Sequence, residues 1–203
     1  MKTNSEYKNM ALQSLEGNWA KAALASLITF IVMEAIGSGP SFFMQPTPPS
    51  LIWQGLVPIL LLPISWGLMV FFLRIVRRED PAYSRLFDGF HQYGRILWAE
   101  LLKGIYVFLW TLLLVIPGII KTYSYAMTEF ILQDNPDMNG EQAICESMRM
   151  MQGHKMQLFL LDLSMIGWFI LSCLTAGIGF LFLVPYVYSA HAHFYEELKE
   201  QQF

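Results

Sequence analysis

The sequence predicts an all-α fold, a bundle of transmembrane helices that crosses a membrane several times. Of its 203 residues, 55% are hydrophobic and only 14% are charged. Soluble domains carry about 25% charged residues, and a soluble core of this size could not bury so much apolar surface. The uncharged residues also form long runs, which lipid around the helices would accommodate. The whole chain, 1–203, is predicted to be one integral membrane domain.

Hydrophobic runs define the predicted spans, because a membrane-crossing helix needs about 20 apolar residues. Two of the four runs fit one helix each. The other two are too long and contain breaks at Pro117-Gly118 and at Thr175-Ala176-Gly177, where proline and glycine permit a turn. Dividing the runs there predicts about six spans in three hairpins, with approximate bounds 20–36, 51–73, 96–116, 117–132, 156–174 and 177–193.

Charge placement favours six spans over five and predicts their orientation. Cytoplasmic loops collect Lys and Arg. With six spans and the N-terminus inside, all basic residues except Lys103 and Lys121 lie on the inner side. Treating 96–132 as one span would place Arg149 and Lys155 outside. The sequence therefore predicts a multi-pass protein of the cell membrane with both termini in the cytoplasm.

Short amphipathic helices are predicted between the spans. Such helices either lie in the inner membrane interface or pack beneath the bundle as part of its core, and the sequence leaves both possibilities open. Three stretches carry apolar residues on one helical face: Tyr7, Ala11 and Leu15; Tyr83, Leu86, Phe87 and Phe90; Ile144, Met148 and Met151.

Ionisable side chains within the predicted spans are candidates for a functional site, because a charge is costly in hydrocarbon. Lys103 and Asp162 are expected at similar depths on different helices. We therefore predict that they form an intramembrane polar pair that holds the bundle together. A transport or proton-relay role is the alternative, although no series of acidic or histidine residues runs through the predicted midplane.

A second candidate is an inner-face polar cluster of His154, His191, His193 and Glu196. On one helix, residues two positions apart point about 200° apart, so His191 and His193 should not share a metal, whereas His193 and Glu196 share a face. The sequence has no HExxH, paired CxxC, G-x-S-x-G, G-x-G-x-x-G or Walker motif. We therefore predict no catalytic residue, no metal site and no cofactor.

Net charge and cysteine placement limit the classes of partner and of cross-link that we expect. A net charge of −3 gives no basic field for nucleic acid. Cys145 is expected on a cytoplasmic surface helix and Cys173 inside a span, so a structural disulfide is not expected. The predicted partners are membrane lipid and a protein at the cytoplasmic face.

Four segments, taken in chain order, resemble the bacterial integral membrane family called domain of unknown function 975. They are LEGNWAKA, PGIIKTYSYAMTEFIL, ESMRMMQGHKMQLFLLDLSMIGW and VPYVYSAHAHFYEEL. The central P-G with Ala143, Ser147 and Gly153 also resembles membrane domains attached to some bacterial glycerophosphodiester phosphodiesterases. Both resemblances imply a membrane location and a helical bundle, and neither implies active-site residues.

Three functions remain open at this point. The leading hypothesis is a non-enzymatic membrane accessory or interaction protein. The second is a small-solute transporter or channel, which a polar cavity around Asp162 and Lys103 would favour. The third is a lipid-modifying membrane enzyme, which convergence of the inner-face polar cluster would favour.

Overall fold

The computed structural model describes residues 1–37, 48–175 and 177–201. Within these ranges every regular element is helical, which confirms the predicted all-α class. Four stretches are long and apolar enough to cross a membrane: Trp19–Ile36, Ile59–Val76, Tyr83–Leu113 and Lys155–Leu174.

The helices follow one another with short connections. In chain order they are α1 (Asn4–Leu15), α2 (Trp19–Gly37), α3 (Pro48–Val76), a 3-10 helix (Tyr83–Gln92), α4 (Tyr93–Leu113), α5 (Val115–Ser124), α6 (Thr128–Asp134), α7 (Gly140–Met150), α8 (Lys155–Leu163), α9 (Ile166–Leu174) and α10 (Phe180–Glu200).

The predicted boundary between the third and fourth spans is wrong. The chain reverses at Leu114, whose backbone is extended, and not at Pro117-Gly118. Proline instead lies in the first turn of α5, where its missing N–H is tolerated. Gly118 allows the reversal, because a Cβ there would lie 2.1 Å from Thr111 Oγ1. The two helices can therefore approach closely at the turn.

Two predicted spans are each divided into shorter helices. The predicted span 117–132 contains a turn at 125–127 that separates α5 from α6. The predicted span 156–174 is interrupted between α8 and α9, where the Ser164 hydroxyl donates to the Leu161 carbonyl at 2.7 Å. The last predicted break is placed as expected between α9 and α10, although its Ala176 lies outside the described residues.

Helices α1 and α7 pack as part of the core. Tyr7, Ala11 and Leu15 are fully buried, and α7 buries Ala143 and Ile144 while the opposite, polar face of the helix remains exposed. Their apolar faces therefore contact the bundle, as one of the two possibilities for these stretches requires.

The predicted amphipathic stretch around Leu86 differs from α1 and α7, because it forms a 3-10 helix and not an α-helix. A 3-10 helix repeats every three residues, so Leu86 and Gly89 share the buried side. Phe87 and Phe90 lie on another side, each 45% exposed, with ring centroids 6.5 Å apart. The single α-helical face predicted from the sequence is therefore wrong.

Close packing of α3 against the 3-10 helix depends on Gly67, where a Cβ would lie 2.1 Å from the Leu86 carbonyl oxygen. Because backbone must move to admit it, Gly67→Ala is expected to lower the free energy of unfolding by about 1–3 kcal/mol. Thermal unfolding in detergent measures this. Gly94→Ala is the control, since a Cβ there meets none of the described residues within 4 Å. Equal stability of the two variants would contradict the close approach.

The two ends of the bundle differ in polarity. The charged end contains Arg77, Asp134 and the C-terminal turn of α10, which are joined by ion pairs. The apolar end contains the turn from Leu112 to Ile116, where exposure runs from 64% to 74%. Helix α4 connects the ends over about 30 Å, which matches the thickness of the hydrocarbon core of a bilayer.

Candidate functional site

Lys103 on α4 binds two carboxylates from different helices. Its Nζ donates to Glu100 Oε1 at 2.6 Å and to Glu129 Oε1 at 2.9 Å. Glu100 lies one turn earlier on α4, at the spacing that brings side chains together, and Glu129 comes from α6. One ammonium group therefore links α4 to α6.

A second polar contact joins α8 to α10. His191 Nε2 lies 2.6 Å from Asp162 Oδ1. The predicted pairing of Lys103 with Asp162 is therefore wrong, because each residue binds a different partner. The sequence missed Glu129 as the partner of Lys103 because it placed Glu129 near the inner edge of one continuous helix.

The turn at 125–127 positions Glu129 beside Lys103. The buried Ser147 hydroxyl on α7 donates to the Ser124 carbonyl at 2.9 Å and accepts from the Met127 amide at 3.1 Å. At the far end of α6, the Arg95 guanidinium donates to the Leu132 carbonyl at 2.6 Å. These contacts satisfy backbone groups that the turn and the helix end leave open, and they hold α6 against α4.

The Lys103 ion pairs and the His191–Asp162 contact line one cavity of about 420 Å³. The charged side chains around it are hereafter called the charged cleft: Glu100, Lys103, Glu129, Asp162 and His191. The side chains of Lys103 and Asp162 are 22% and 31% exposed, so the cleft opens to the surface. Lys103 and Asp162, both predicted from the sequence as candidate site residues, thus lie at one cavity, although they do not form the predicted contact with each other.

Three of the four members of the predicted inner-face polar cluster contact separate partners. His193 Nε2 lies 2.7 Å from the Ser14 hydroxyl, and Glu196 accepts from Arg77 Nε at 2.8 Å. His191 belongs to the charged cleft, and His154 precedes the first turn of α8. The predicted cluster is therefore not assembled, while the expectation that His191 and His193 point in different directions is confirmed.

A second charged group, which was not predicted from the sequence, lies at the charged end of the bundle. The Arg77 guanidinium donates to both oxygens of Asp134, at 2.7 and 2.6 Å, and Lys199 and Tyr195 donate to the same carboxylate at 2.6 and 3.1 Å. Burial raises the pKa of Asp134, but hydrogen bonds from Arg77 and Lys199 outweigh it and hold the pKa below its usual range. The i, i+4 spacing of Tyr195 and Lys199 places both side chains on one helical face, and it was the one sequence feature that could have indicated this group.

Cys145 and Cys173 are both free and exposed. Among residues 1–37, 48–175 and 177–201, no group of three or more His, Cys, Asp or Glu side chains is placed to hold a metal ion.

Comparison with known proteins gives one match. A family model described as "Protein of unknown function (DUF975)" matches residues 1–121 and 111–202, which together cover nearly the whole chain. Searches of curated proteins and of solved structures returned no match. The second resemblance, to membrane domains of glycerophosphodiester phosphodiesterases, is not shown by these comparisons.

Proposed function

The chain belongs to the DUF975 family of proteins of unknown function, and from that premise we propose that it is a non-enzymatic accessory protein of the cell membrane. It holds a polar or amphiphilic ligand in its charged cleft. It acts by binding and not by chemistry, in contact with membrane lipid and with a cytosolic partner at the exposed polar face of α7.

The observation that carries this proposal is the charged cleft itself. Five ionisable side chains surround a cavity of about 420 Å³, within helices that are otherwise largely apolar. Ionisable groups among membrane helices are costly and usually functional. If these groups only tied helices together, side chains would be expected to fill the space between them. A cavity with a few convergent polar groups is the usual form of a ligand site.

The proposal includes about six spans in three hairpins, with both termini in the cytoplasm. Contacts between α2 and α3, between α4 and α5, and between α9 and α10 support the hairpins. Helix α5 alone reaches about 15 Å, half of a hydrocarbon core, so the fourth span needs α6 as well. The exposed apolar turn from Leu112 to Ile116 then lies at the outer edge of the hydrocarbon core.

The two native cysteines test this orientation without added labels. A membrane-impermeant maleimide should react with Cys145 in Cys173→Ser protein only when the cytoplasmic face is accessible, as in inverted vesicles. Cys173, in Cys145→Ser protein, should remain unreactive in both intact cells and inverted vesicles, because its face of α9 contacts hydrocarbon.

Each single-cysteine variant is the control for the other, and both should react fully after denaturation in detergent. Reaction of Cys145 from outside intact cells would overturn the proposed orientation. Reaction of Cys173 in sealed membranes would show that α9 contacts water.

Ligand binding is tested by native mass spectrometry of the protein purified in mild detergent. We expect a bound mass on the wild-type protein that is lost from Glu129→Gln, because this variant removes one cleft charge while the Lys103–Glu100 contact remains. Asp80→Asn is the control at an exposed carboxylate outside the cleft. A wild-type protein that carries no bound mass after extraction from native membranes would contradict the proposal.

A small-solute transporter or channel is the second candidate, and the same cleft favours it because it combines a polar cavity with membrane helices. Solute exchange across proteoliposomes, dependent on Glu129, would place the protein in that class. The third hypothesis, a lipid-modifying enzyme, gains no support, because His193 and Glu196 contact separate partners.

A further inference from the structure

An apolar groove continues from the charged cleft. It has a volume of about 390 Å³ and shares Tyr123, Asp162 and His191 with the cleft. Its remaining lining is apolar and comes from α8, α9 and α10: Phe159, Leu163, Met165, Ile166, Phe169, Leu183 and Val187. A ligand that occupied both spaces would therefore have one charged or polar part and one hydrocarbon part.

The interruption between α8 and α9 forms one wall of this groove. Leu163 ends α8 and Ile166 begins α9, so the regular α-helix is interrupted by a two-residue turn where the groove passes. Ile166 and Phe169 are 53% and 51% exposed. In a helix that lies in the membrane, such side chains face acyl chains. The groove therefore opens toward lipid and can receive a hydrocarbon chain from the side.

The charged side chains of the cleft favour one sign of charge on the ligand. Three carboxylates, from Glu100, Glu129 and Asp162, face two basic side chains, Lys103 and His191. Acidic groups thus outnumber basic groups around the cleft, which therefore complements a cation.

We infer that the charged cleft and its groove bind a membrane lipid whose headgroup ends in a primary ammonium, with the ammonium at the carboxylates and an acyl chain in the groove. The inference rests on the proposed function and names the class of ligand. A primary ammonium has three N–H donors, which suit carboxylates that come from three helices. A quaternary ammonium has the same charge but no N–H donor, so it should bind less well.

Native mass spectrometry with a defined lipid mixture tests the inference. The purified full-length protein is incubated with equal amounts of dioleoyl phosphatidylethanolamine, phosphatidylcholine and phosphatidylglycerol. We expect phosphatidylethanolamine to be retained about tenfold over each of the others, as loss of one charge-assisted contact predicts. All three lipids carry the phosphate and the same chains, so a preference reports the terminal group.

Three variants locate the binding. Asp162→Asn removes one carboxylate of the cleft, and Val187→Phe fills the groove without altering any charge. Each should abolish the preference, while Asp80→Asn should retain it. Because Asp162→Asn and Val187→Phe lie on different helices, failure of either one to fold leaves the other as a test.

The possible outcomes separate this inference from the proposed function. Equal retention of the three lipids, or a preference that survives both variants, overturns the inference. Retention of phosphatidylglycerol that is lost in Asp162→Asn would overturn the inference of an ammonium headgroup. It would still support the charged cleft as a ligand site. Retention of no lipid by a wild-type protein that also carries no mass from native membranes would overturn both.

Discussion

Replacing Asp134 by Ala should lower the free energy of unfolding by about 3–5 kcal/mol, the range for removal of one partner from a buried ion pair. The Asp134 side chain is only 9% exposed and accepts hydrogen bonds from Arg77, Lys199 and Tyr195. Without it, Arg77 and Lys199 are left as neighbouring cations, and among the described residues only Arg77 retains a carboxylate partner, Glu196. Denaturant unfolding in detergent measures the loss.

The control for this prediction is Asp80→Asn, because the Asp80 side chain is 87% exposed. Its stability should match that of the wild-type protein. An Asp134→Ala variant as stable as Asp80→Asn would contradict the central role of Asp134 at the charged end.

The stability that Asp134 supplies should also depend on pH. Its pKa is lowered in the folded protein, so the contribution is fully present above the unfolded pKa of about 3.9. It is lost as the pH falls from there through the folded pKa. Asp134→Asn should therefore show a smaller loss of stability on acidification below about pH 4 than the wild-type protein.

Replacing Lys103 by Met is expected to have an effect of similar size, about 3–5 kcal/mol. The change leaves Glu100 and Glu129 facing each other without the ammonium that contacts both. Two neighbouring carboxylates without a shared cation repel each other, and one of them must take up a proton. The free energy of unfolding in detergent should fall accordingly.

Two further variants show whether charge causes this loss. The triple variant Glu100→Gln, Lys103→Met, Glu129→Gln should recover much of the stability, because it removes the uncompensated charges. Lys121→Met is the matched control: Lys121 lies over the Trp110 ring at 4.9 Å, a contact worth about 0.5–2 kcal/mol. A triple variant no more stable than Lys103→Met would show that packing, and not charge, accounts for the effect.

The sequence predicted those features that depend on local spacing. The buried face of α1, with Tyr7, Ala11 and Leu15, follows directly from helical periodicity. The separation of His191 from His193 follows from the angle between residues two positions apart. The membrane-like composition predicted helices that are apolar on exposed faces, as at Leu112.

Features that depend on tertiary contacts could not be predicted. The reversal at Leu114 requires the close approach of Gly118 to Thr111, and the turn before α6 requires Ser147 from a later helix. Because that turn was missed, Glu129 was placed at the wrong depth, and Lys103 was assigned to Asp162. The ion pair of Arg77 with Asp134 joins residues that are far apart in sequence, so spacing alone gave no signal.

Extraction of membranes with alkaline carbonate is the most direct test of the membrane-embedded bundle on which the charged cleft depends. Cells that express the full chain are fractionated, and the protein is followed by immunoblot with and without detergent. We expect the protein to stay in the membrane pellet after the carbonate wash and to enter the supernatant only with detergent. Recovery of the folded protein in the aqueous supernatant without detergent would contradict this expectation.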